Sequence, residues 1–377
     1  MRIIVDFLPL VHECVHATAL KFIVQCHQKI LETGTKNEWL FIVDKSYVNN
    51  EAFKEIPTEN ILFKKIIPNQ IGWRFWYDYQ LPSLIKKNKA DLLITTGGIS
   101  SSSPVPQYSW ITVPKGNERS KKAKSYLSLY KKRFQKTIIQ SKAIFTVSEK
   151  IRQNIIAETN AEKEKIIVVR NAADENLNPL SWAEKESIKT KYAAGKEFFS
   201  VAVDDLQQNL LDVLKAFSQF KKRQQSNMQI VFVGKVLKRD IDFLSKLETF
   251  KYRIDVHFYD NLSEAEKQKI ISASYALLYP FTDDEIGTII LNAFKTNVPV
   301  ILSEKSNLQE IAGEAAFYAN ANNIESLASH MMLLYKDEKL RSGLIEKAQQ
   351  KWQDFNWEKT EKKLMDVIQT IDHHLSK

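Results

Sequence analysis

The sequence predicts an α/β protein of two sequential domains that face a cleft, each domain built on a parallel sheet. Short runs rich in β-branched residues alternate with longer amphipathic segments along the chain, which is typical of this class. A length of 377 residues is enough for two domains. A polar stretch at 171–196, with Pro179 and little periodic apolar signal, separates two such series. In sheets of this kind, ligands bind beyond the carboxyl ends of the strands.

The first series contains seven runs that we predict to be strands. They are Arg2–Phe7, Trp39–Val43, Ile61–Ile66, Asp91–Thr95, Tyr108–Val113, Ala143–Val147 and Ile166–Val169. Amphipathic stretches around 17–32, 74–87, 118–140 and 148–158 predict helices that separate most of these strands. Ser148 stands directly before the last of them as an N-cap.

The second series contains six further strand candidates. They are Phe198–Val203, Gln229–Val233, Asp255–Tyr259, Ala276–Tyr279, Val298–Leu302 and Ala316–Tyr318. The predicted helices of this half are 209–222, 239–249, 263–273, 287–295, 323–335 and 338–350. The tail Trp357–His373 predicts a strong final helix, because Trp357, Leu364, Val367 and Ile371 recur along one side.

Composition indicates a folded protein of the cytoplasm. Hydrophobic residues make up 44 % of the chain and charged residues 26 %. No apolar run approaches the roughly 20 residues that span a bilayer, and the N-terminus MRIIVDFLPLV has the pattern of a first strand. Cys14 and Cys26 are the only cysteines, which is too few for a disulfide framework.

The net charge of +9 indicates an anionic partner, and much of the excess lies between Arg119 and Lys136. Eight cations fall in that stretch without an acidic residue, and Tyr126, Leu129 and Phe134 are among the apolar residues interleaved with them. One interpretation is an anionic membrane surface or a lipid-linked substrate bound by residues 119–136. The other is a helix packed by its aromatic stripe with solvated lysines. Nucleic acid is not a predicted partner, because no RNA- or DNA-binding motif accompanies the charges.

The segment 276–316 carries most of the functional signal. Its sequence, ALLYPFTDDEIGTIILNAFKTNVPVILSEKSNLQEIAGEAA, has the pattern of strand, acidic loop, helix, strand, turn and helix. That order is typical of the nucleotide-binding half of an α/β domain.

Several runs in the same order resemble glycosyltransferase family 4, the group 1 type with the GT-B fold. They are TVSEK (146–150), KIIVVRNAADE (165–175), LLDVLKAFSQFKKR (210–223), QIVFVGK (229–235) and the donor-sugar segment 276–316. The resemblance implies two Rossmann-like domains facing a cleft. Residues 1–171 would form the acceptor domain, 172–196 the linker and 197–356 the nucleotide-sugar domain. It also implies that a C-terminal helix, 357–377, crosses back to the first domain.

The resemblance implies a retaining hexosyltransferase. Such an enzyme moves a sugar from a nucleotide-sugar substrate to a glycan or lipid-linked acceptor in bacterial surface polysaccharide or glycolipid assembly. Cationic or dipolar groups stabilise the departing diphosphate, and neither a cofactor nor a metal is expected. The expected location is the cytoplasm, including the inner face of the membrane.

The site residues follow from the positions that match the family motifs. Asp284 and Asn292 are the predicted catalytic residues, because they stand where the family carries paired glutamates. The predicted donor-binding residues are Gln207, Gln208, Asn209, Gly287, Glu310 and Asn171.

Five of the matched positions depart from the family's chemistry. Gln207 and Gln208 replace a basic pair, so hydrogen bonds to a diphosphate lose their charge assistance. Asn292 replaces a glutamate, and Thr112 and Val113 replace a His-Asp pair. A divergent donor site also fits a different class of protein, namely a catalytically silent GT-B protein that acts as a partner subunit or a glycan-binding module.

Three further stretches carry alternatives. His12 to His16 spells H-E-x-x-H, which is a zincin signature on a helix but a chance match elsewhere. The hydroxyl-rich segment TTGGISSSS (95–103) is either an acceptor contact or a turn. Lys235, Lys238 and Arg239 are either substitute cations for the donor or ordinary surface residues.

Overall fold

The computed structural model consists of two compact units. It describes the chain except residues 12–16, 35, 48–50, 113–120, 204–209, 235–240, 283, 285, 321–322 and 376–377. The first unit comprises Met1–Asn171 together with Trp357–Lys377, and the second comprises Ala172–Asn356. Residues 172–196 therefore group with the second unit.

The first unit is built on a parallel sheet of seven strands among its described residues, in the order β3-β2-β1-β4-β5-β6-β7. The strands are β1 Arg2–Asp6, β2 Glu38–Asp44, β3 Ile61–Lys64, β4 Leu92–Thr95, β5 Gln107–Trp110, β6 Ala143–Thr146 and β7 Ile166–Val168. β1 pairs with β2 in the register Ile3–Trp39 and with β4 in the register Ile3–Leu92. The strand order reverses between β1 and β4, which makes their carboxyl ends the switch point of this sheet.

The helices of the first unit pack on this sheet through their apolar faces. They are α1 Leu8–Val11, α2 Ala17–Glu32, α3 Gln70–Phe75, α4 Leu81–Lys87, α5 Lys121–Gln140 and α6 Glu149–Thr159. α6 begins at Ser148, whose side chain accepts a hydrogen bond from the Ile151 N–H, as predicted from the sequence.

The prediction of a single helix at 74–87 is wrong, because the structure has two helices there. α3 and α4 are separated by a π turn at Trp76–Gln80. The Leu81 N–H donates to the Trp76 carbonyl, five residues back, and Pro82, which follows, has no N–H to continue an α-helical ladder.

The second unit has a parallel sheet of six strands among its described residues, in the order β10-β9-β8-β11-β12-β13. The strands are β8 Phe198–Val203, β9 Gln229–Gly234, β10 Val256–Tyr259, β11 Ala276–Tyr279, β12 Val300–Ser303 and β13 Ala316–Ala319. The helices are α7 Trp182–Tyr192, α8 Leu210–Gln224, α9 Ile241–Glu248, α10 Glu264–Ser272, α11 Thr288–Lys295, α12 Gln309–Ala312, α13 Ile324–Lys336 and α14 Glu338–Trp352. Each predicted strand of this half has its counterpart here.

The last helix, α15 (Trp357–Leu375), belongs to the first unit. The Trp357 ring lies 6.1 Å from the Phe22 ring of α2, and Leu364 and Ile368 are fully buried. The Tyr108 hydroxyl donates to the Val367 carbonyl at 2.8 Å. The predicted fold class, two Rossmann-like α/β domains with a terminal helix that returns to the first, is confirmed.

Within the part of the chain that the structure describes, no helix is both long enough and apolar enough to cross a membrane.

Candidate functional site

The sheet of the second unit has its switch point between β8 and β11, which pair in parallel. β8 ends at Val203 and β11 at Tyr279, so the segments that follow these strands leave the same edge of the sheet. The segment after β8 includes the predicted residues Gln207, Gln208 and Asn209, which lie outside the described residues. The segment after β11 leads through Asp284 into α11.

The Asp284 carboxylate organises the turn that starts α11. Its Oδ1 accepts hydrogen bonds from the backbone N–H groups of Ile286, at 2.9 Å, and Gly287, at 3.1 Å. Its Oδ2 accepts from the Tyr279 hydroxyl at 3.2 Å. A carboxylate at this end of a helix satisfies orphan N–H groups and interacts favourably with the helix dipole.

Gly287, at the start of α11, packs closely against α12. Its φ is +68°, a left-handed conformation that favours glycine. A Cβ at this position would lie 2.5 Å from the Ile311 Cδ1 and 3.1 Å from the Leu308 Cδ2. The start of α11 therefore packs directly against α12, which carries the predicted donor-binding residue Glu310 in a half-buried position.

Asn292 is buried inside the second unit, with 3 % of its surface exposed. Its Oδ1 accepts a hydrogen bond from the Asp174 N–H at 2.9 Å. One turn further along α11, the Lys295 ammonium donates to the carbonyls of Asp174 and Glu175 at 2.8 and 3.0 Å. α11 thus holds residues 174–175 through two of its side chains.

Two more positions singled out from the sequence lie in the first unit. Asn171 is buried and is the last residue of the unit before Ala172. Thr112 is buried after the carboxyl end of β5, and Val113 lies outside the described residues. The structure brings Asp284, Gly287 and the helix of Glu310 together, and it ties Asn292 to the segment that follows Asn171.

Asp6 is a buried carboxylate that the sequence analysis missed. It ends β1, at the switch point of the first sheet, and accepts hydrogen bonds from the Trp76 Nε1–H at 2.9 Å and the Leu8 N–H at 3.1 Å. Burial raises the pKa of Asp6 to about 7, although both hydrogen bonds oppose that shift. The signal in the sequence was an acidic residue that directly follows the apolar run Ile3–Val5.

The polar groups of the hydroxyl-rich segment 95–103 make hydrogen bonds within the first unit. The Ser100 hydroxyl donates to the Gln140 side chain at 2.7 Å, and the Ser101 hydroxyl donates to the Tyr77 carbonyl at 2.9 Å. The Ser100 N–H donates to the Thr137 hydroxyl at 2.9 Å. These serines fasten the loop after β4 to neighbouring elements and are buried, which disfavours the acceptor-contact interpretation.

The aromatic stripe of α5 faces inward. Tyr126 and Leu129 are buried, and the Tyr126 ring lies 4.9 Å from the Trp73 ring of α3. The Tyr126 hydroxyl donates to the Gly97 carbonyl at 2.7 Å. Among the described residues of this helix, Lys124, Lys131, Lys132 and Lys136 are exposed. α5 therefore presents charge to the solvent but packs its stripe inside the unit.

The remaining candidate cations and metal ligands fall outside the described residues. These are His12–His16 and the trio Lys235, Lys238 and Arg239. Among the residues that the structure does describe, no group of three or more His, Cys, Asp or Glu side chains is placed to hold a metal ion.

The family model of group 1 glycosyl transferases matches residues 183–351, which make up most of the second unit and include Asp284, Gly287, Asn292 and Glu310. Most of the second unit is thus similar to the group 1 glycosyl transferases. The sequence resemblance is thereby confirmed.

Two curated relatives share about a fifth to a quarter of the residues in the part of this chain that they match. The O-antigen chain mannosyltransferase B of Escherichia coli is 21 % identical over 75 % of this chain and 71 % of the relative. The O-antigen chain mannosyltransferase RfbU of Salmonella typhimurium is 24 % identical over 51 % of each chain. The chain thus spans about half the length of the second relative.

Solved structures share the fold over nearly the whole chain. WaaG, a glycosyltransferase involved in lipopolysaccharide biosynthesis, superposes with a TM-score of 0.70 at 13 % identity and covers 98 % of this chain and 99 % of its own. Anabaena Alr3699/HepE, solved in complex with UDP and glucose, superposes with a TM-score of 0.71 at 14 % identity and covers 98 % and 100 %. Identities this low establish the GT-B fold and nothing further about the substrates of this chain.

Proposed function

We propose that this glycosyltransferase moves mannose from a nucleotide-sugar donor to a glycan or lipid-linked acceptor during the assembly of a bacterial surface polysaccharide. The observation that carries the proposal is the family match over the Asp284 turn and α11, at the switch point of the second sheet. Two relatives bear the name of O-antigen mannosyltransferases, and a structural neighbour was solved with UDP and glucose. These names support the choice of sugar and of donor class.

In this proposal, the second unit binds the nucleotide sugar. Asp284 fixes the turn that presents α11, and the donor diphosphate lies at the amino end of that helix, where the helix dipole favours negative charge. Gln207, Gln208 and Asn209 would supply neutral hydrogen-bond donors to the same diphosphate. Glu310 and Gly287 would complete the pocket, and the proposed part of Asn292 is to position the segment after Asn171.

Retention at the anomeric carbon belongs to the proposal as well. The chemical demand is stabilisation of negative charge on the departing diphosphate, which preorganised dipoles supply without a metal ion. The product of a retaining transfer keeps the α or β configuration of the donor sugar, and NMR coupling constants of the isolated product read that configuration directly. An inverted product would contradict a retaining mechanism but leave the transfer reaction intact.

The experiment is a transfer assay with GDP-mannose and UDP-glucose in separate reactions, using lipid-linked oligosaccharides as acceptors and mass spectrometry as the readout. We expect an added hexose from GDP-mannose. An acceptor that gains no hexose from either donor, with a folded and concentrated protein, would contradict the proposal for these acceptors.

A catalytically silent partner subunit is the second candidate, because Gln207, Gln208, Asn292, Thr112 and Val113 all depart from the family pattern. The double variant Gln207→Arg, Gln208→Lys separates the two candidates. In an enzyme with a working donor pocket, the new cations change donor affinity at least several-fold, because charge-assisted hydrogen bonds are roughly twice as strong as neutral ones. The variant Gln353→Lys, Gln369→Lys adds the same charge at exposed positions and serves as the control. If neither the wild type nor the double variant binds a nucleotide-sugar donor, the silent subunit is favoured.

A further inference from the structure

Four large apolar side chains lie in a row on the surface of the first unit. Ile67, Ile71, Phe75 and Tyr79 are 69, 79, 51 and 67 % exposed, and each follows the previous one by four residues. Single exposed apolar side chains are common on protein surfaces, but a contiguous row of them marks an interaction site. We call these four residues the apolar ridge.

The backbone around Ile67 is tightly built. The Asn69 side chain accepts a hydrogen bond from the Gly72 N–H at 2.7 Å and caps α3. A Cβ on Gly72 would lie 2.1 Å from the Ile67 carbonyl oxygen, so only glycine allows Ile67 to approach the first turn of the helix so closely. Ile67 is therefore held next to the helix that carries the rest of the ridge.

The π turn keeps the far end of the ridge in line. Residues four apart on an α-helix of 3.6 residues per turn rotate by more than a full turn, so such a row drifts around the helix. The wider π turn at Trp76–Gln80 rotates less per residue and reverses that drift between Phe75 and Tyr79. The two rings lie 5.6 Å apart. Beside them is a cavity of about 380 Å³, whose lining includes Lys64.

The charged residues around the apolar ridge are mostly cations. Residues 61–89 contain six cations and a single acidic residue, Asp78. Lys65 and Arg74 are exposed within the ridge segment. α3 also contacts α5, and residues 121–140 contain no acidic residue at all.

Asp78, the single acidic residue of 61–89, is neutralised by an ion pair. Asp78 lies 2.6 Å from the Arg133 guanidinium and accepts a further hydrogen bond from the Ser102 hydroxyl at 2.9 Å. Partial burial raises the pKa of Asp78, but the hydrogen bonds from Arg133 and Ser102 outweigh it and leave that pKa below its ordinary value. The carboxylate stays ionised and paired near neutral pH, and residues 61–89 carry a net positive charge.

We propose that the apolar ridge docks on an anionic lipid bilayer. Its isoleucine and aromatic side chains would insert at the level of the headgroups, and the surrounding lysines and arginines would contact lipid phosphates. A cationic surface without interspersed acids favours anionic lipid, since each cation near such a membrane adds to binding. The docking element is thus α3 with its π turn, and α5 contributes charge only. The proposal does not depend on the sugar transferred or on whether the chain is catalytically active.

The experiment is co-sedimentation of the full chain with vesicles of phosphatidylglycerol and phosphatidylcholine, compared with vesicles of phosphatidylcholine alone. We expect binding to the anionic vesicles that weakens at high salt, because screening reduces the attraction between exposed charges. The variant Ile71→Ser, Phe75→Ser, Tyr79→Ser should bind at least about tenfold more weakly, since binding scales with buried apolar area. The matched control is Trp182→Ser, Ile254→Ser, which removes two side chains of the second unit that are 78 and 88 % exposed.

A second pair of variants tests the charges. Lys65→Glu, Arg74→Glu should reduce binding to anionic vesicles about tenfold or more and flatten its dependence on salt. Lys196→Glu, Lys222→Glu changes the net charge equally at exposed positions of the second unit and should retain binding. Far-ultraviolet circular dichroism and nucleotide titration of each variant show whether the fold and the second unit are intact.

Two outcomes would overturn the proposal. One is a wild-type chain that fails to sediment with anionic vesicles. The other is a ridge variant that binds them as the wild type does. A wild-type dimer in light scattering that the ridge variant turns into a monomer, without any vesicle binding, would assign the apolar ridge to a second copy of the chain instead.

Discussion

At the scale of single residues, the Asp284 side chain holds the turn that precedes α11. Replacement by alanine removes the carboxylate that accepts hydrogen bonds from the Ile286 and Gly287 N–H groups and from the Tyr279 hydroxyl. We expect Asp284→Ala to lower the free energy of unfolding by about 1–2 kcal/mol, as measured by urea denaturation.

The matched control is Asp284→Asn, which keeps an oxygen at the position of Oδ1. It should lose less than half as much stability as the alanine variant. Equal losses in the two variants would show that the hydrogen bonds to Ile286 and Gly287 do not hold the turn.

Asn292 offers a similar test of its contact with Asp174. The Asn292→Leu variant keeps the volume at this buried position but removes the acceptor of the partly buried Asp174 N–H. The expected loss of unfolding free energy is about 1–3 kcal/mol. Asn292→Asp retains the acceptor and should lose clearly less when it is measured at a pH low enough to protonate the buried carboxyl, because an ionised carboxylate would add a cost of burial. A larger loss at that pH would argue against the assigned hydrogen bond.

The raised pKa of Asp6 predicts how the free energy of unfolding changes with pH. Its pKa is raised from 3.8 to about 7 in the folded chain, so between these values the folded state holds a proton that the unfolded chain has released. Stability contributed by Asp6 is therefore lost as pH rises from about 4 to about 7 and is constant above that range. A shift of this size corresponds to about 4 kcal/mol.

The measurement is urea denaturation of the wild type and of Asp6→Asn across this pH range. The free energy of unfolding of the wild type minus that of the variant should fall as pH rises. A difference that stays constant or grows would contradict the burial of an Asp6 with a raised pKa.

At the scale of elements, the contact between α11 and α12 depends on Gly287. The chain offers a matched pair, because Gly287 and Gly195 have φ values of +68° and +70° but only Gly287 has neighbours within 4 Å of an added Cβ. We expect Gly195→Ala to cost about 1 kcal/mol for its backbone conformation. Gly287→Ala should cost about 1–3 kcal/mol more, because its Cβ would overlap Ile311. Thermal denaturation of both variants measures the difference. Equal losses of stability would mean that α12 moves aside for the added methyl group at no cost.

The sequence located the elements because their signals are local. The thirteen predicted strands are all present among the described residues, since each is a short β-branched run in a parallel sheet. α7 lies in the stretch that the sequence analysis assigned to the linker, although Ser181 and Glu184 form the capping box that starts it. The π turn was missed because it follows from a hydrogen-bond register near Pro82, which the apolar pattern of 74–87 does not encode.

At the scale of the whole molecule, the sequence predicted the positions of the candidate site better than their contacts. Asp284, Gly287 and Glu310 were located by a motif within one stretch of chain. The partner of Asn292 lies 118 residues away and that of Asp6 lies 70 residues away. Such pairs arise from the packing of distant segments, so the local pattern of a single sequence does not reveal them. The apolar ridge was missed for the same reason, because exposure is a property of the folded unit.

The central claim is that the second unit binds a nucleotide sugar at the Asp284 turn. Calorimetric titration of the chain with GDP-mannose, UDP-glucose, GDP and UDP at low salt tests it most directly. We expect micromolar binding, tightest for GDP-mannose, and weaker binding of the same ligand to Asp284→Ala. Absence of binding across all four ligands by a folded chain would contradict the claim.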